Sequence, residues 1–204
     1  MKGLYAITPD LASTEDMVRR VSKALQGGAT VLQYRNKLAS ADLRKEQAHA
    51  LLRLARPRGV PLIVNDDVGL AAAIDADGAH VGREDGEVKA ARRALPGKLL
   101  GVSCYASLEA ARVAIAEGAD HVAFGSVFAS GTKPAAGRAP LAIFTEARSL
   151  GVPLIAIGGI TAENAPLAIA AGADCLAVIS DLFDAPDIRA RAALYRHLFE
   201  SSAS

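Results

Sequence analysis

The sequence predicts an α/β protein that folds as one compact (β/α)8 TIM barrel over residues 1–204. Eight short apolar segments alternate with amphipathic segments at a spacing of about 25 residues. Most of the apolar segments are unbroken, as is typical of parallel strands that are buried on both faces. An open doubly wound sheet is the alternative, but the Gly-x-Gly-x-x-Gly fingerprint of its dinucleotide-binding members does not follow the first strand.

The predicted elements follow one another as strand and helix along the whole chain. The strands cover residues 2–8, 31–37, 61–64, 78–82, 99–103, 121–125, 152–157 and 175–179. The helices cover residues 15–25, 41–54, 68–74, 108–117, 140–149, 166–171 and 187–199, with another that ends at residue 95. Gly-Ala pairs at positions 28, 78, 118 and 172 form a weak internal repeat, and each is expected to be a turn that leads into a strand. Residues 126–138 lack periodicity, and loops of that length are usually functional. The tail at 201–204 is expected to be frayed.

Composition limits the kinds of protein that fit. Hydrophobic residues make up 51% of the chain, which is enough for a large core, and the formal charge of +1 gives no support for nucleic acid or a membrane surface as a partner. The sequence shows no signal peptide and no apolar run of about 18 residues. We therefore expect a soluble, cytoplasmic protein. The sequence leaves open whether it is a homo-oligomer. Cys104 and Cys175 are expected to be buried free thiols, although Cys104 would be a nucleophile if a base accompanied it.

The second strand ends in an unusual polar face. Gln33, Arg35 and Lys37 alternate with their neighbours, so they share one face of an extended chain. That face should be apolar if it points into a barrel, and polar exceptions at a strand end usually serve a ligand. The alternative is a strand that stops at Gln33 and continues as a solvated loop.

Polar residues recur at the carboxyl ends of the other strands, where barrel enzymes place their active sites. They are Asn65, Asp66, Asp67, Asp85, Ser103, Thr132, Lys133 and Ser180, together with the glycines Gly158 and Gly159. Arg35, Lys37 and Lys133 suit a diphosphate, and the carboxylates would repel that ligand unless Mg²⁺ lay between them. The alternative is a set of rim salt bridges, which would add little stability.

The last two strand ends predict a second anion site. Gly158-Gly159 and Ile179-Ser180 follow strands seven and eight, whose loops commonly bind phosphate through backbone N–H groups. A simple helix entry with Thr161 as N-cap is compatible with that site. Two phosphate sites indicate two phosphorylated substrates and group transfer. The strand histidines His80 and His121 are expected to pack in the core or to support the site rather than to bind a metal.

These motifs, taken together, resemble the thiamine phosphate synthase family over nearly the whole chain. The matching motifs are Gln-x-Arg-x-Lys at 33–37, Asn-Asp-Asp at 65–67, Asp-Gly-x-His-x-Gly-x-x-Asp at 77–85, Gly-Val-Ser at 101–103, Thr-Lys at 132–133, Gly-Gly-Ile at 158–160 and Ile-Ser at 179–180. The resemblance implies a (β/α)8 enzyme that joins a hydroxymethylpyrimidine diphosphate to a thiazole phosphate. The implied mechanism is dissociative: diphosphate leaves, a methylene cation forms on the pyrimidine, and the thiazole nitrogen captures it.

The resemblance also implies roles for individual residues. The pyrimidine diphosphate would be held by Gln33, Arg35, Lys37, Asn65, Ser103 and Lys133, of which Arg35, Lys37 and Lys133 would stabilise the leaving group. The thiazole phosphate would be held by Ser130, Thr132, Gly158, Gly159, Ile179 and Ser180. Mg²⁺ would be bound by Asp66 and Asp85. Gln33 would either orient the pyrimidine half or brace Arg35.

The chain departs from the family pattern at three places. Arg83 stands where the family commonly has Gln, and Ser126 follows Gly125 where Pro is common. Ala129-Ser130-Gly131-Thr132 replaces a more usual Pro-Thr-x-Thr, and Gly131 is expected to loosen a loop that closes over substrate.

Two other functions stay open from the sequence. One is a thiazole tautomerase-like barrel isomerase, which needs no diphosphate site and has a His where this chain has Tyr105. The other is a non-catalytic phosphate-binding paralogue. The paired cations and carboxylates on the rim favour the synthase over both.

Overall fold

Eight parallel strands close a barrel in the order of the sequence, with β8 paired to β1. A computed structural model describes residues 1–82, 87–129 and 138–202. The strands are β1 Gly3–Ile7, β2 Val31–Tyr34, β3 Leu62–Asn65, β4 Gly78–Val81, β5 Leu99–Tyr105, β6 His121–Gly125, β7 Leu154–Ile157 and β8 Cys175–Val178. The (β/α)8 fold predicted from the sequence is confirmed.

Helices cover the outside of the barrel in the described ranges. They are α1 Thr14–Gly27, α2 Ala41–Ala55, α3 Val68–Ala73, α4 Val88–Ala94, α5 Leu108–Ala116, α6 Ala142–Ala147, α7 Ala165–Ala171, α8 Ser180–Phe183 and α9 Ile188–Ser201. The short helix α8 directly after β8 was not predicted, because four residues are too few to show a helical period. Helix α9 extends through Ser201, which the sequence assigned to a frayed tail. No helix in these ranges has the length and apolar character to cross a membrane.

The core has two layers, one on each side of the strands. Inside the barrel, Tyr5, Ile7, Val31, Ile63, Ala123, Ile155, Cys175 and Ala177 pack together. Outside, the alternate strand residues pack against the helices in a larger apolar cluster. Burial on both faces explains why the strands read as unbroken apolar runs rather than as alternating patterns.

The Gly-Ala repeat closes the helices at the amino-terminal end of the barrel. Gly28, Gly118 and Gly172 have positive φ values of 106°, 108° and 113°, and each follows a helix as predicted. The fourth copy differs, because Gly78 is the first residue of β4 and not part of a turn.

The aspartates that precede β4, β6 and β8 connect neighbouring strands, which was not predicted from the repeat. Each accepts the backbone N–H of a residue on the preceding strand at 2.8 Å, as Asp174 does from Leu154.

Candidate active site

A small cavity of about 120 Å³ opens at the carboxyl ends of the strands. Its described lining combines apolar side chains of the barrel interior with five polar ones, of which Arg35 is a cation. The polar members are Gln33, Asn65, His80, Ser103 and Arg35, beside Tyr5, Ile7, Ala123, Ile155, Ile157, Ala177 and Ile179. Pockets that enclose drug-sized ligands measure about 300–1,000 Å³, so this cavity has room for one ring and not for two substrates. Charged parts of a ligand would therefore lie at the rim.

The end of β2 is held by residues that follow β1. The Thr8 hydroxyl accepts the Arg35 backbone N–H and donates to the Arg35 carbonyl, both at 2.8 Å. The Asp10 carboxylate then pairs with the Arg35 guanidinium at 3.1 Å and accepts the Lys37 backbone N–H at 2.6 Å. Strand β2 ends at Tyr34, so the strand predicted over 31–37 is too long. Residues 35–37 follow as a loop whose backbone is held by hydrogen bonds and in which Lys37 is exposed.

The opposite face of this segment is anchored in a buried polar network. Asn36 donates to the Leu11 carbonyl at 2.7 Å and to the Gln47 side chain at 3.0 Å. Tyr34 donates to the same Gln47 oxygen at 2.9 Å. Because Tyr34 and Asn36 point toward α2, their neighbours Gln33 and Arg35 must point toward the cavity. The predicted alternation is therefore present for Gln33 and Arg35, whereas Lys37 is exposed and lies outside the cavity lining.

Gln33 is fixed inside the barrel. Its side chain is 3% exposed, and its amide donates to the Tyr5 hydroxyl at 2.9 Å. Burial raises the pKa of Tyr5 far above its usual range, so this hydroxyl is neutral. Gln33 thus belongs to the cavity floor, whereas Thr8 and Asp10 supply the bonds that brace Arg35.

The three polar residues after β3 have different environments. Asn65 lines the cavity, while Asp66 adopts a left-handed conformation with φ of 62° and has its carboxylate 3.6 Å from the Lys37 ammonium. Asp67 caps α3, since its carboxylate accepts the Leu70 backbone N–H at 2.8 Å. A bond to the helix end occupies Asp67, so Asp66 is the better placed of the two carboxylates for a metal.

Strands β4 and β5 contribute a hydrogen-bonded pair. His80 Nε2 lies 2.8 Å from the Ser103 hydroxyl oxygen, and both residues line the cavity. His121 packs beside them, with its ring centroid 5.9 Å from that of His80. Burial, and secondarily the neighbouring His80, lowers the pKa of His121 to about 3, so this imidazole is neutral. The two histidines support the cavity, as the sequence predicted.

Strand β5 extends past its predicted end and carries Tyr105 to the rim. Pairing with β6 shifts register between Ser103 and Tyr105, and Tyr105 has a positive φ of 54°. Cys104 lies between them and is buried, and burial raises the pKa of its thiol to about 12. The same cause raises the pKa of Cys175 to about 12. Both cysteines are free and buried as predicted, and neither has the low pKa of a nucleophile.

The glycine pair after β7 packs against the segment that follows β6. Gly158 and Gly159 have positive φ values of 97° and 65°. A Cβ atom would overlap Ser126 in the first case and the Ala129 backbone in the second. The Gly159 carbonyl accepts from the Asn164 side chain at 2.9 Å. Helix α7 begins at Ala165, directly after Asn164. The Thr161 hydroxyl accepts the Asn164 backbone N–H at 3.4 Å and the Asn164 side chain accepts the Thr161 backbone N–H at 2.9 Å, so the predicted helix-entry turn capped by Thr161 is present.

Helix α8 begins at Ser180 and is tied to α9 by Asp181. The Asp181 carboxylate binds the Arg191 guanidinium at 2.5 Å and accepts the Tyr195 hydroxyl at 2.8 Å. Arg20 donates to the Phe183 carbonyl at the other end of α8. These contacts fix the backbone at Ile179 and Ser180, next to the glycine pair of β7. A short extra helix after the last strands is a common phosphate site in barrel enzymes.

The structure brings together part of the predicted site. Gln33, Arg35, Asn65, Ser103 and Ile179 line one cavity, while Lys37, Asp66, Gly158, Gly159 and Ser180 lie at the strand ends beyond that lining. Asp85, Ser130, Thr132 and Lys133 lie outside the described residues, as do Arg83 and Gly131. In the described ranges no group of three or more His, Cys, Asp and Glu side chains could hold a metal. The metal site predicted from the sequence has only two carboxylates, Asp66 and Asp85, so it would not count as such a group.

Some supporting residues were missed by sequence reasoning. Thr8 and Asp10 hold the cationic segment, Tyr5 holds Gln33, and Asp181 holds α8. Asp10 follows the carboxyl end of β1, and that position is the signal that could have found it, because polar residues at the other strand ends are predicted to form the site.

Comparison with known proteins decides the family. The model of the TMP-TENI family, thiamine monophosphate synthase, matches residues 4–182. The chain belongs to this family. It is 57% identical to a thiamine-phosphate synthase of Aromatoleum aromaticum over 203 residues, covering 98% of each chain. It is 54% identical to that of Methylobacillus flagellatus over 200 residues, which cover 98% of this chain and 96% of the relative.

A solved structure of the family agrees with the barrel. Thiamine phosphate pyrophosphorylase from Pyrococcus furiosus superposes with a TM-score of 0.89 at 35% identity, covering 99% of this chain and 97% of that one. Family membership at this similarity makes the chain a transferase enzyme and confirms the resemblance seen in the motifs.

Proposed function

We propose that this enzyme transfers a hydroxymethylpyrimidine group from its diphosphate to a thiazole phosphate, giving thiamine phosphate and diphosphate. The observation that carries the proposal is the division of the site into a neutral cavity and a charged rim. Gln33, Asn65 and Ser103 present amide and hydroxyl groups inside, and Arg35 stands where the cavity opens. A neutral heteroaromatic ring with a diphosphate on one side has this distribution of polarity.

The neutral floor suits a pyrimidine. Amide and hydroxyl groups both donate and accept hydrogen bonds, so they can match ring nitrogens and an exocyclic amine without a charge. Ile157, Ala177 and Ile179 supply apolar contacts on the other side of the cavity. A ring held this way would place its reactive methylene toward the rim.

The rim suits the diphosphate. Arg35 offers a planar guanidinium that binds phosphate oxygens in pairs, and Lys37 adds a compact charge. Asp10 and Asp66 contact these two cations at 3.1 and 3.6 Å, in partly exposed positions where ion pairs contribute little. A diphosphate would therefore replace these weak ion pairs at Arg35 and Lys37 at little cost, with Mg²⁺ between it and Asp66, and Lys133 would complete the cationic set.

The described residues fit a Mg²⁺ ion. Asp66 provides a hard carboxylate at the rim that is partly exposed and is not used as a helix cap. Asp85 would supply the second carboxylate. When bound there, Mg²⁺ would neutralise the oxygens of the leaving diphosphate. Asp66 would hold the ion, while Arg35, Lys37 and Lys133 would stabilise the charge that develops as the C–O bond breaks.

This arrangement suits a dissociative reaction. Neither buried cysteine is activated, so no thiol in the described site competes for the methylene cation. The apolar part of the cavity wall would limit the water around the cation, and the thiazole nitrogen would capture it. The thiazole phosphate would lie against Gly158, Gly159, Ile179 and Ser180, and Ser130 and Thr132 would bind it as well. We place this reaction of two small phosphorylated substrates in the cytoplasm.

The direct test supplies both substrates to the purified enzyme with Mg²⁺ and measures thiamine phosphate by mass spectrometry. We expect product that depends on both substrates and disappears after thorough metal removal. Absence of product under every condition would refute the proposed reaction. Product that persists without metal would refute the assignment of Asp66 and Asp85.

The two substrate sites can be separated by calorimetry. Arg35→Ala and Lys133→Ala should weaken binding of the pyrimidine diphosphate by about tenfold or more, since each removes a charge-assisted contact to phosphate. Binding of the thiazole phosphate should change much less. Equal losses for the two ligands would show that these cations do not belong to the diphosphate site.

A further inference from the structure

We propose that His80 is a positioning residue, which donates its Nε2 proton to Ser103 and thereby directs the Ser103 hydroxyl proton into the cavity. This inference rests on the proposed function and deepens it, because it names the group that sets the direction of one substrate contact. The Ser103 proton would then bind a hydrogen-bond acceptor of the pyrimidine diphosphate.

The geometry of the pair is the first observation. His80 Nε2 and the Ser103 oxygen are 2.8 Å apart, and His80 is 8% exposed. Both residues line the cavity from adjacent strands, with His80 opposite Gly101 in the β4–β5 register. Ser103 sits two residues farther along β5 and so points to the same inner face. The His80–Ser103 hydrogen bond therefore lies on the inner face of the barrel, with Ser103 nearer the open end of the cavity.

The direction of the proton follows from the ligand. A hydroxyl has one proton and two lone pairs. If Ser103 donated to His80, it could offer a phosphate oxygen or a ring nitrogen only lone pairs, which would repel. If His80 donates to Ser103, the serine proton is free to point at an acceptor in the cavity. A Ser103 hydroxyl that serves an acceptor of the pyrimidine diphosphate thus requires a proton on Nε2 of His80.

The orientation of the His80 ring is fixed by its neighbours. The His121 ring packs at 5.9 Å from it, and the Tyr5 ring packs at 6.2 Å from His121 on the other side. Gly101 pairs with both histidines in the strand register, and a Cβ atom there would overlap both imidazoles. A glycine at this position lets the two rings lie against the β5 backbone. The ring of His80 is thereby held at the angle that places Nε2 on Ser103.

The test compares two variants that differ by one methylene. His80→Gln places an amide nitrogen at about the position of Nε2, whereas His80→Asn carries the same amide group too short to reach Ser103. For His80→Asn we expect kcat/KM for the pyrimidine diphosphate to fall about tenfold, with KM for the thiazole phosphate unchanged. His80→Gln should recover most of that loss. His197→Gln, on the exposed face of α9, is the control and should match the wild type.

A double-mutant cycle then shows whether His80 acts through Ser103. In a Ser103→Ala background, His80→Asn should change the same kcat/KM less than twofold. Three results would each overturn the inference: an undiminished loss in that background, equal losses in His80→Gln and His80→Asn, or equal effects on both substrates. Thermal unfolding of each variant identifies losses that come from the fold.

Calorimetry separates this inference from the proposed reaction. Wild-type enzyme that binds the pyrimidine diphosphate but makes no thiamine phosphate would refute the reaction. In that case the His80 and Ser103 double-mutant cycle, measured as dissociation constants for the pyrimidine diphosphate, would still decide the role of His80. Enzyme that neither binds nor reacts would refute both. Nitrogen NMR of the wild-type imidazoles gives an independent result, since an Nε2 of His80 without a proton would contradict the proposed donor.

Discussion

The Asp10 carboxylate accepts the backbone N–H of Lys37 at 2.6 Å, although 27 positions separate the two residues. The same carboxylate pairs with Arg35 at 3.1 Å. One side chain from the end of β1 thus sets the position of both cations that follow β2. Its contribution to stability should be small, because the ion pair is partly exposed. Its contribution to binding should be larger, since a diphosphate needs both cations in register.

We therefore expect Asp10→Ala to raise KM for the pyrimidine diphosphate by about tenfold while lowering the free energy of unfolding by about 1 kcal/mol or less. Asp10→Asn keeps an oxygen that accepts the Lys37 backbone N–H but removes the negative charge that pairs with Arg35. Its KM should therefore lie between those of Asp10→Ala and wild type. Asp42→Asn, an exposed carboxylate on α2, is the control. Steady-state kinetics would contradict the prediction if Asp10→Ala bound the substrate more tightly, since the carboxylate would then compete with the diphosphate.

Asp66 and Asp67 are adjacent carboxylates, but only Asp66 should change the Mg²⁺ response when it is replaced by Asn. Asp66→Asn retains a residue that tolerates the left-handed backbone, so the fold should be little affected. It removes a charged metal ligand, and we expect the Mg²⁺ concentration for half-maximal activity to rise about tenfold or more.

Asp67→Asn is the matched control for that substitution. Asp67 caps α3, and Asn is also a good cap, so both stability and the Mg²⁺ response should stay close to wild type. Asp67→Ala should lower the free energy of unfolding by about 1 kcal/mol, again with an unchanged Mg²⁺ response. A larger Mg²⁺ effect at Asp67 than at Asp66 in metal titrations would reverse the assignment.

Sequence reasoning reached the barrel and the polar strand ends because both depend on local pattern. Apolar runs identify strands, and the closed barrel brings their carboxyl ends together. It missed Asp10 and the network at Gln47, because these bonds join segments whose contact depends on the folded arrangement. It also missed α8, where Asp181 and its partners Arg191 and Tyr195 stabilise a helix too short to form by propensity. The motif residues at 33–37 were found, and the residues that hold them were not.

Gly159 offers a test of the close packing between the β7 turn and the segment after β6. Its φ is 65°, and a Cβ atom would overlap the Ala129 backbone. Gly159→Ala should combine backbone strain of about 1–2 kcal/mol with displacement of that segment. We expect lower stability in urea unfolding and weaker binding of the thiazole phosphate.

The chain contains a close control for the backbone strain alone. Gly59 has φ of 66°, and a Cβ atom there would meet nothing within 4 Å. Gly59→Ala should therefore lower the free energy of unfolding through backbone strain alone and leave thiazole phosphate binding unchanged. If the two variants lost the same stability and bound the ligand equally well, the packing of Gly159 would have no role in the site.

The buried His121 should make stability fall on mild acidification. Its pKa is lowered to about 3 by burial first and by His80 second, against about 6.5 in an unfolded chain. Between these values the unfolded state binds a proton that the native state does not, so stability rises with pH across this window. The slope from this one group is about 1.4 kcal/mol per pH unit between pH 4 and 6. His121→Leu removes the titrating group and should flatten the profile by that amount, whereas the same substitution at the exposed His197 should not. Urea unfolding at several pH values measures both slopes, and an unchanged slope in His121→Leu would show that His121 is protonated in the folded protein.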